Sequence, residues 1–593
     1  MTHLPGYILI NRDKNFMEVQ CMTTLIVVLG VAVYVLLYLT YGKKLERDVV
    51  KASDAGDAPS KAMFDGIDYV PAKAPVLFGH HFASIAGAAP IVGPVLAMAW
   101  GWVPALLWVW FGNIFIGAVH DYLALMASVR YDGRSVQFVA SDVITKRTGK
   151  TFYWLVFFLL ILVIAAFGAV LGGMFVGNGA IPSAYIFKLI AALILGVLLY
   201  RVKMNFTLAT LIGIAMLVLA IIAGYMFPMV ASKNTWYVVM FFYIIIASAI
   251  PVNVLLQPRD YLNSWLLYIG LIIGAVAAIF SFHGFTAPAF TSFAPIVSGG
   301  KPSPFWPVIP LIIACGSLSG FHALVGSGTS SKQLEKESHG LPIGYGAMLT
   351  EGFLSTIVII SVAGFSLSLI QGAGQELTVA TWGDRYAAAM NGSFGAAGTF
   401  VNSYAAMVEG TWLRFLPTEI VKVIAGMWVA SFAMTTLDTT NRLVRYTLSE
   451  IFLPLKDKNE GMFNFLTNRW VASTIPALIG IYLAWTGSFS ILWPSFGSAN
   501  QLIASIALLT GAAWVSKRLK TKANMVLIPA YLLWITVTAA IIWFSAVVLP
   551  GTIKVNPTTG IVVLIIEMVM LIMNFIFMID FLKTKNQPLE AEV

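Results

Sequence analysis

Residues 78–94 read FGHHFASIAGAAPIVGP and lie within an apolar stretch long enough to cross a membrane. The stretch begins with the adjacent histidines His80 and His81, and small residues then lead to Pro90 and Gly93. Proline removes a helical hydrogen bond, and glycine lets the backbone leave helical geometry. Lipid cannot satisfy the freed backbone groups, so such a break has to face protein or a water-filled cavity. The stretch predicts either a discontinuous membrane helix of the kind that forms a transporter's substrate site, or a proline kink with a packing role.

The composition is that of a polytopic membrane protein. Of the 593 residues, 59% are hydrophobic and only 11% are charged, which is too apolar for a soluble domain. The net charge of +9 does not indicate a nucleic-acid partner, because the basic residues concentrate in loops between apolar runs. The two cysteines, Cys21 and Cys315, predict neither a disulfide framework nor a thiolate metal site. We therefore expect an all-α protein surrounded by the lipid bilayer.

About fifteen apolar runs are long enough to span the ~30 Å of hydrocarbon in a bilayer. They cover residues 22–41, 77–99, 104–127, 151–176, 184–200, 206–226, 236–256, 263–282, 305–328, 343–370, 415–437, 471–487, 491–514, 525–549 and 561–582. With the N-terminus outside, each strongly basic loop falls on the cytoplasmic side, as the positive-inside rule requires. The pattern therefore predicts an outside N-terminus and a cytoplasmic C-terminus. The long outer loop at 371–414 is expected to be an extracellular cap or a re-entrant segment.

A second proline-broken stretch, residues 244–259, reads IIIASAIPVNVLLQPR. Pro251 stands here where Pro90 stands in the first stretch, and the two breaks lie five spans apart in spans of opposite direction. Such a pair indicates a LeuT-type inverted repeat of five plus five helices, an arrangement of the APC superfamily with discontinuous helices. The chain then divides into an N-terminal segment with one span, two five-helix repeats and a C-terminal part with four spans: residues 1–76, 77–226, 227–442 and 443–593.

The two predicted breaks indicate a substrate site. Half-helix N-termini carry partial positive charge and exposed N–H groups, which suit a carboxylate. We expect no arginine at mid-depth in any span, so backbone groups would do most of this work. The candidate substrate-binding residues lie at the breaks and in the span 305–328: Gly87, Ala88, Pro90, Gly93, Pro251, Asn253 and Ser319.

Polar side chains inside the predicted spans are candidates for coupling or gating, because such groups are costly in lipid and default to function. They come from five helices: His80, His81, Ser84, Asn113, His120, Asp121, His322, Ser327, Thr329, Ser330, Glu351 and Asp438. Plainer alternatives stand beside this interpretation. A membrane histidine often bonds a neighbouring carbonyl, and Asp438 could form an interfacial ion-pair cluster with Arg442 and Arg445. Thr329 and Ser330 could simply end a helix.

The coupling ion stays open between H⁺ and Na⁺. Imidazole titrates near neutrality, and Asp121 could hold His81 or His120 in position, which favours protons. A group of hydroxyls such as those of Ser84 and Ser327 would suit sodium instead. The proton is the preferred ion at this stage.

Metal binding is a further alternative, since His120, Asp121 and His322 could ligate zinc. The adjacent His80 and His81 point about 100° apart on a helix, so both rarely serve one metal. The sequence contains neither an HExxH motif nor a Walker A motif, which disfavours an intramembrane zinc protease and an ATP-driven pump. A secondary transporter without a cofactor is therefore expected, rather than an enzyme, a channel or a nutrient receptor.

Three motifs carry a family resemblance: FGHHFASIAGAAPIVGPVLAMAWGW, GAVHDYLALMASVRYDGRSV and GSLSGFHALVGSGTSSKQL. The chain resembles the carbon starvation protein A family of bacterial inner-membrane transporters from about the second to the eleventh predicted span. The resemblance implies uptake of peptides or of pyruvate, coupling to protons and a LeuT-type fold. It does not choose between the two substrates, because family members differ in what they carry.

Overall fold

The computed structural model describes residues 21–66, 69–250, 255–372, 374, 377–378, 380–391, 395–585 and 587. Within these ranges the regular structure is helical, and the β pairing consists of two isolated bridges, Ala72–Leu334 and Ile296–Pro302. The expected all-α architecture is confirmed for the described part of the chain.

Eleven helices among the described residues are long and apolar enough to cross a membrane. They are Met22–Val50, Trp102–Val129, Lys146–Gly177, Ala180–Leu199, Phe206–Met226, Pro258–Phe280, Glu337–Phe365, Thr418–Lys456, Phe489–Leu519, Asn524–Val555 and Pro557–Thr584. A bent pair, Ala74–Ile85 and Ala89–Trp100, makes a twelfth span if the pair counts as one. The chain is thus a multi-pass membrane protein.

The predicted count of fifteen spans is not confirmed. Three of the predicted spans correspond to helices that are short, interrupted or less apolar. Residues 236–256 fall on the 17-residue helix Lys233–Ala249, and residues 471–487 fall on Arg469–Thr486. Residues 305–328, expected as one helix, form the two short helices Phe305–Ile312 and Gly320–Gly328. Shorter helices outside these regions are Pro59–Ala62, Val136–Val143, Leu367–Gly372, Trp382–Asn391, Ala396–Glu409 and Glu460–Thr467.

The helix Lys146–Gly177 forms the centre of the bundle. The side chain of Thr145 caps it by accepting from the backbone N–H of Thr148, and apolar residues then cover all sides of its middle part. A helix that is apolar all round is stable only when surrounded, and this one packs against Thr418–Lys456, Arg469–Thr486 and Phe489–Trp514. By contrast, Met22–Val50 is mostly exposed and lies at the periphery.

The first interrupted helix consists of Ala74–Ile85 and Ala89–Ala97, which are bent by 51° at residues 86–88. The predicted break is confirmed, and of the substrate-binding candidates only Gly87 and Ala88 lie in it. Pro90 lies in the first turn of the second half, where a backbone N–H would have no acceptor within the helix, so proline is tolerated. Gly93 is helical.

The second interrupted helix consists of Phe305–Ile312 and Gly320–Gly328, with residues 313–319 between them. It packs directly against the first. A Cβ atom at Gly93 would lie 2.7 Å from the carbonyl oxygen of Ile312, so only glycine permits this approach of the two backbones. The two breaks therefore lie side by side.

The second break expected from the sequence, with Pro251 and Asn253, lies outside the described residues. The helices on either side of it, Lys233–Ala249 and Leu256–Phe280, are separate elements. The helix that faces the first break is instead the one interrupted at 313–319. The symmetry between residues 77–226 and 227–442 stays a prediction.

The segment 371–414, which the sequence predicts to be an outer loop, contains the helices Trp382–Asn391 and Ala396–Glu409, which contact the first interrupted helix. Tyr386 donates its hydroxyl hydrogen to the carbonyl oxygen of Val95 at 2.8 Å, and Trp382 donates its indole N–H to that of Met98 at 3.1 Å. The two rings stack on each other with centroids 5.5 Å apart. The segment therefore covers the end of the first interrupted helix.

Candidate functional site

A small cavity, with about 10 Å³ open to the centre of a water-sized sphere, lies between the two breaks. Both half-helices that follow the breaks, Ala89–Ala97 and Gly320–Gly328, begin beside it. Its walls come from both interrupted helices and from three neighbouring helices: Ile85, Gly87, Val163, Phe167, Cys315, Ser319, Phe321, Thr436 and Phe496. Of the substrate-binding candidates, the cavity therefore brings together Gly87 and Ser319.

Side chains of neighbouring helices satisfy the backbone of the second break. Asn500 donates to the carbonyl oxygen of Ala314 and accepts from the N–H of Phe321 at 3.1 Å, so one amide joins both sides of the break. Gln501 donates to the carbonyl oxygen of Ile313 at 3.3 Å. Asn113, a coupling candidate, donates to the carbonyl oxygen of Gly316 at 3.0 Å and serves the same backbone.

Asp121 is the centre of a buried group that we call the histidine cluster: His120, Asp121, Cys315, His322 and Glu351. Its carboxylate accepts from His120 Nδ1 at 2.7 Å and from His322 Nδ1 at 2.8 Å. Because both bonds use Nδ1–H, each imidazole carries its proton on the side of Asp121.

The other ring nitrogen of His322 faces Glu351 and Cys315. His322 Nε2 lies 3.3 Å from Glu351 Oε2 and 3.6 Å from Cys315 Sγ. Neither carboxylate oxygen of Glu351 has a hydrogen-bond partner among the described residues, although the side chain is fully buried. Asp121, His322 and Glu351 thus form a chain that joins three helices beside the cavity.

A π-helical turn precedes His120 and Asp121 and helps to direct both side chains into the histidine cluster. Residues Asn113–Gly117 form this turn within the span Trp102–Val129, just before His120 and Asp121. A π turn adds a residue to the helix and shifts the faces of the residues after it, and such turns are frequent at functional sites. The sequence indicated the shared face of the polar residues, but not this shift.

His81 lies on the first half of the first interrupted helix and contacts the end of the second. Its Nδ1 is 2.7 Å from Ser330 Oγ, and its Nε2 has no partner in the described structure. The adjacent His80 is only partly buried. The structure therefore joins His81 to Ser330.

The hydroxyls proposed for a sodium site do not converge in the described contacts. Ser84 donates to His80 O and Ser327 donates to Ala323 O, each within its own helix. Thr329 is exposed. The oxygen atoms needed around a hard cation are therefore used locally or face outward.

Asp438 does not belong to the histidine cluster, and its expected partners are wrong. It pairs with both terminal nitrogens of Arg259, and Arg259 also bonds Asp260 at 2.8 Å. Arg442 and Arg445 instead donate to backbone carbonyls near the end of the helix Lys233–Ala249. Arg259 is fully buried near the beginning of the helix Leu256–Phe280, a position that the expectation of no arginine at mid-depth does not concern.

Lys188 completes this second group, which we call the arginine cluster: Lys188, Tyr243, Arg259, Asn263 and Asp438. The Lys188 ammonium donates to Asn263 Oδ1 at 2.7 Å and to Ser431 Oγ at 2.6 Å. Tyr243 donates to Asp438 Oδ2 at 3.0 Å and accepts from Arg259 at 2.9 Å. A lysine inside an apolar run was a visible signal for this cluster.

Polar loops pack together at the end of the molecule near Ser330. Asp54 accepts from the backbone N–H of Ser338 at 3.0 Å and from its hydroxyl at 2.7 Å. These hydrogen bonds from Ser338 hold the pKa of Asp54 below its usual value. Arg130 and Glu337 form a bidentate ion pair beside this contact.

Comparison with known proteins gives a consistent family. The model of the family described as carbon starvation protein CstA matches residues 22–540. The peptide transporter CstA of Bacillus subtilis (strain 168) is 31% identical, over 94% of this chain and 96% of that protein. The pyruvate/proton symporter BtsT of Escherichia coli (strain K12) is 28% identical, over 87% of this chain and 79% of that protein. Among solved structures, a mutant Eremococcus coleocola manganese transporter aligns with a TM-score of 0.45 and 13% identity, over 88% of this chain and 99% of that chain.

Proposed function

This chain belongs to the carbon starvation protein CstA family, and we propose that it is a secondary active transporter that imports small carboxylate-bearing nutrients. The observation that carries the proposal is the pair of interrupted helices packed side by side around one cavity. Broken helices at such a position are the usual substrate site of secondary transporters. We propose the bacterial inner membrane as its location, with the N-terminus outside.

The substrate is a carboxylate such as pyruvate or the C-terminus of a short peptide. The half-helices that begin at Ala89 and Gly320 present their N-terminal ends to the cavity, where backbone N–H groups and the helix dipole favour an anion. Relatives named as peptide transporters and as a pyruvate/proton symporter support both substrates. The described residues place no arginine or lysine on the cavity wall, which leaves recognition to the backbone and to Ser319.

The coupling ion is the proton. Asp121, His322 and Glu351 form a continuous chain between the second interrupted helix and two neighbouring helices. An imidazole between two carboxylates can accept and release a proton near neutral pH, with His120, His81 and Cys315 as the other ionisable groups nearby. Movement of the interrupted helix would change these contacts and so link protonation to transport.

A LeuT-type arrangement accounts for these features together. It contains two interrupted helices of opposite direction with the substrate between them, and it alternates access by moving one bundle against the other. We retain the division at 77–226 and 227–442 as a proposal. The interrupted helix at Phe305–Gly328 is a discontinuous element in addition to the one expected at Pro251, and superposition of the two halves of an experimental structure is the test.

The function is tested by counterflow in proteoliposomes. Vesicles loaded with unlabelled pyruvate or a dipeptide should accumulate the labelled compound, and an inward pH gradient without sodium should drive net uptake. Asp121→Asn should retain counterflow but lose the response to the gradient. Glu335→Gln, a change at a partly exposed loop residue outside the cluster, is the matched control and should behave as the wild type.

Three results would contradict the proposal in different ways. Flux that neither saturates nor exchanges would indicate a channel. Uptake that requires sodium and ignores a protonophore would indicate the sodium-coupled alternative. Normal proton-driven uptake by Asp121→Asn would remove the histidine cluster from the coupling pathway.

A further inference from the structure

We propose that Cys315, His322 and Glu351 form a binding site for a divalent metal ion of the zinc class. Their three ligand atoms all lie within 4.8 Å of one another, and all three side chains are buried. Thiolate, imidazole and carboxylate are ligand types that Zn²⁺ takes in proteins, and an ion with three protein ligands keeps one position open. This proposal differs from the sequence analysis, which predicted no metal site with Cys315 as a thiolate ligand.

The hydrogen-bond pattern leaves the oxygens of Glu351 available, and the contact that a metal ion would replace is the one between His322 Nε2 and Cys315 Sγ at 3.6 Å. Both oxygens of Glu351 lack a hydrogen-bond partner among the described residues. A fully buried carboxylate in this state is costly unless it is paired or coordinates a metal. His322 Nε2 lies 3.3 Å from Glu351 Oε2. A metal ion between them would satisfy both.

Asp121 supports the site from outside. It accepts the Nδ1–H of His322 at 2.8 Å, which directs the free electron pair of Nε2 toward Cys315 and Glu351. A carboxylate behind a ligating histidine fixes the ring and its tautomer in many metal sites. His120 in turn donates to the other oxygen of Asp121 at 2.7 Å and holds that carboxylate in place. Asp121 and His120 are thus positioning residues rather than ligands.

A bound ion would connect three parts of the protein. Cys315 lies in the second break, His322 lies in the half-helix after it, and Glu351 lies on the helix Ala347–Phe365. The ion therefore fixes the break relative to its neighbour. We expect such an ion to stop transport by preventing this movement, and this consequence alone rests on the proposed function.

Cobalt(II) is the probe, because it occupies zinc sites and its bond to a thiolate produces a charge-transfer absorption. The purified, reduced full-length protein should develop this absorption with CoCl₂, and ZnCl₂ should remove it. Cys315→Ser should abolish it. Cys21→Ser is the matched control, because Cys21 is the other cysteine of the chain and is exposed, and this variant should bind as the wild type.

Two further variants test the geometry. Glu351→Gln should weaken cobalt binding while retaining the thiolate absorption at higher concentration. Asp121→Asn should weaken binding by roughly 10–100-fold, as loss of an outer partner does in other metal sites. Thermal unfolding in detergent checks that each variant is folded, and Cys315→Ala replaces Cys315→Ser if the latter does not fold.

The result that overturns the site is an absent thiolate absorption in the folded wild type, or one that persists after Cys315 is replaced. The second arm measures counterflow with ZnCl₂, which should inhibit the wild type and Cys21→Ser. Zinc binding without inhibition would overturn the effect on transport. A wild type that exchanges no substrate would contradict the proposed function, while the cobalt absorption would still decide the metal site.

Discussion

The histidine cluster and the arginine cluster lie on different sets of helices, and they differ in how completely their atoms are bonded. In the arginine cluster, Arg259 bonds two carboxylates and a tyrosine, and Lys188 bonds two oxygen atoms. In the histidine cluster, both oxygens of Glu351 and the Nε2 atom of His120 lack hydrogen-bond partners among the described residues. The first cluster is saturated and the second is open.

This difference separates a structural role from a functional one. A guanidinium stays charged at any physiological pH, so the arginine cluster keeps one set of bonds throughout a transport cycle. Imidazole and an unpartnered carboxylate can exchange protons or bind an ion. We therefore infer that the arginine cluster holds helices together and that the histidine cluster changes state.

Replacement of Arg259 by glutamine should have the largest effect on stability. It leaves Asp438 buried without its cation, and breaking a buried ion pair on one side costs roughly 3–5 kcal/mol. The protein in detergent should unfold at a much lower temperature than the wild type. Tyr243 can still donate to Asp438, which limits the loss but does not replace the charge.

The double variant Arg259→Gln with Asp438→Asn is the control for this prediction. Removing both charges leaves no isolated ion at the Arg259–Asp438 contact, and Asp260 keeps partial access to solvent, so the double variant should be more stable than Arg259→Gln alone. Single variants as stable as the wild type would show that the arginine cluster is not a structural clamp.

Asp121→Asn should have a large effect on function and a smaller one on stability. The amide keeps the shape of the side chain but cannot accept both Nδ1–H groups as a carboxylate does, which disturbs the tautomers of His120 and His322. Accumulation driven by a pH gradient should fall to the level of empty vesicles, while the unfolding temperature changes less than in Arg259→Gln. If Asp121→Asn lowered the unfolding temperature more than Arg259→Gln and left proton-driven accumulation intact, the two clusters would not differ in role as we infer.

Ser330→Ala should produce an intermediate effect, because it removes a single neutral hydrogen bond to His81. Loss of such a bond costs about 0.5–1.5 kcal/mol. If the contact closes one end of the pathway, the variant should bind substrate normally but release it faster, which pre-steady-state efflux measures. Ser84→Ala is the control, since Ser84 bonds only within its own helix.

Asp54→Asn should have the smallest effect and a defined pH dependence. The pKa of Asp54 is lowered by Ser338, so its carboxylate stabilises the folded state above the usual pKa near 3.8, and this contribution disappears as the pH falls below it. The variant should differ from the wild type by no more than about 0.5 kcal/mol at pH 7, and the two should converge in acid. The measurement is the unfolding temperature of the wild type, Asp54→Asn and Ser338→Ala between pH 7 and acid.

The sequence predicted the first break and the gathering of Asp121, His120 and His322, because proline, glycine and membrane histidines carry strong physical signals. It missed the interruption at 313–319, where Gly316 and two serines stand in an otherwise apolar run and no proline lies in the gap itself. It also misassigned Asp438, because the partner Arg259 is remote in sequence. Long-range pairing of this kind depends on how helices pack, which a local pattern does not contain.

Asn500 has a consequence for the transport cycle that concerns the empty protein. Its side chain satisfies backbone groups on both sides of the second break without help from a substrate. A carrier whose break depended on its cargo would have difficulty returning unloaded and would work mainly as an exchanger. We therefore expect the return step to need no cargo, so that net accumulation from one side proceeds without any substrate supplied on the other, and we expect Asn500→Ala to convert the carrier toward obligate exchange.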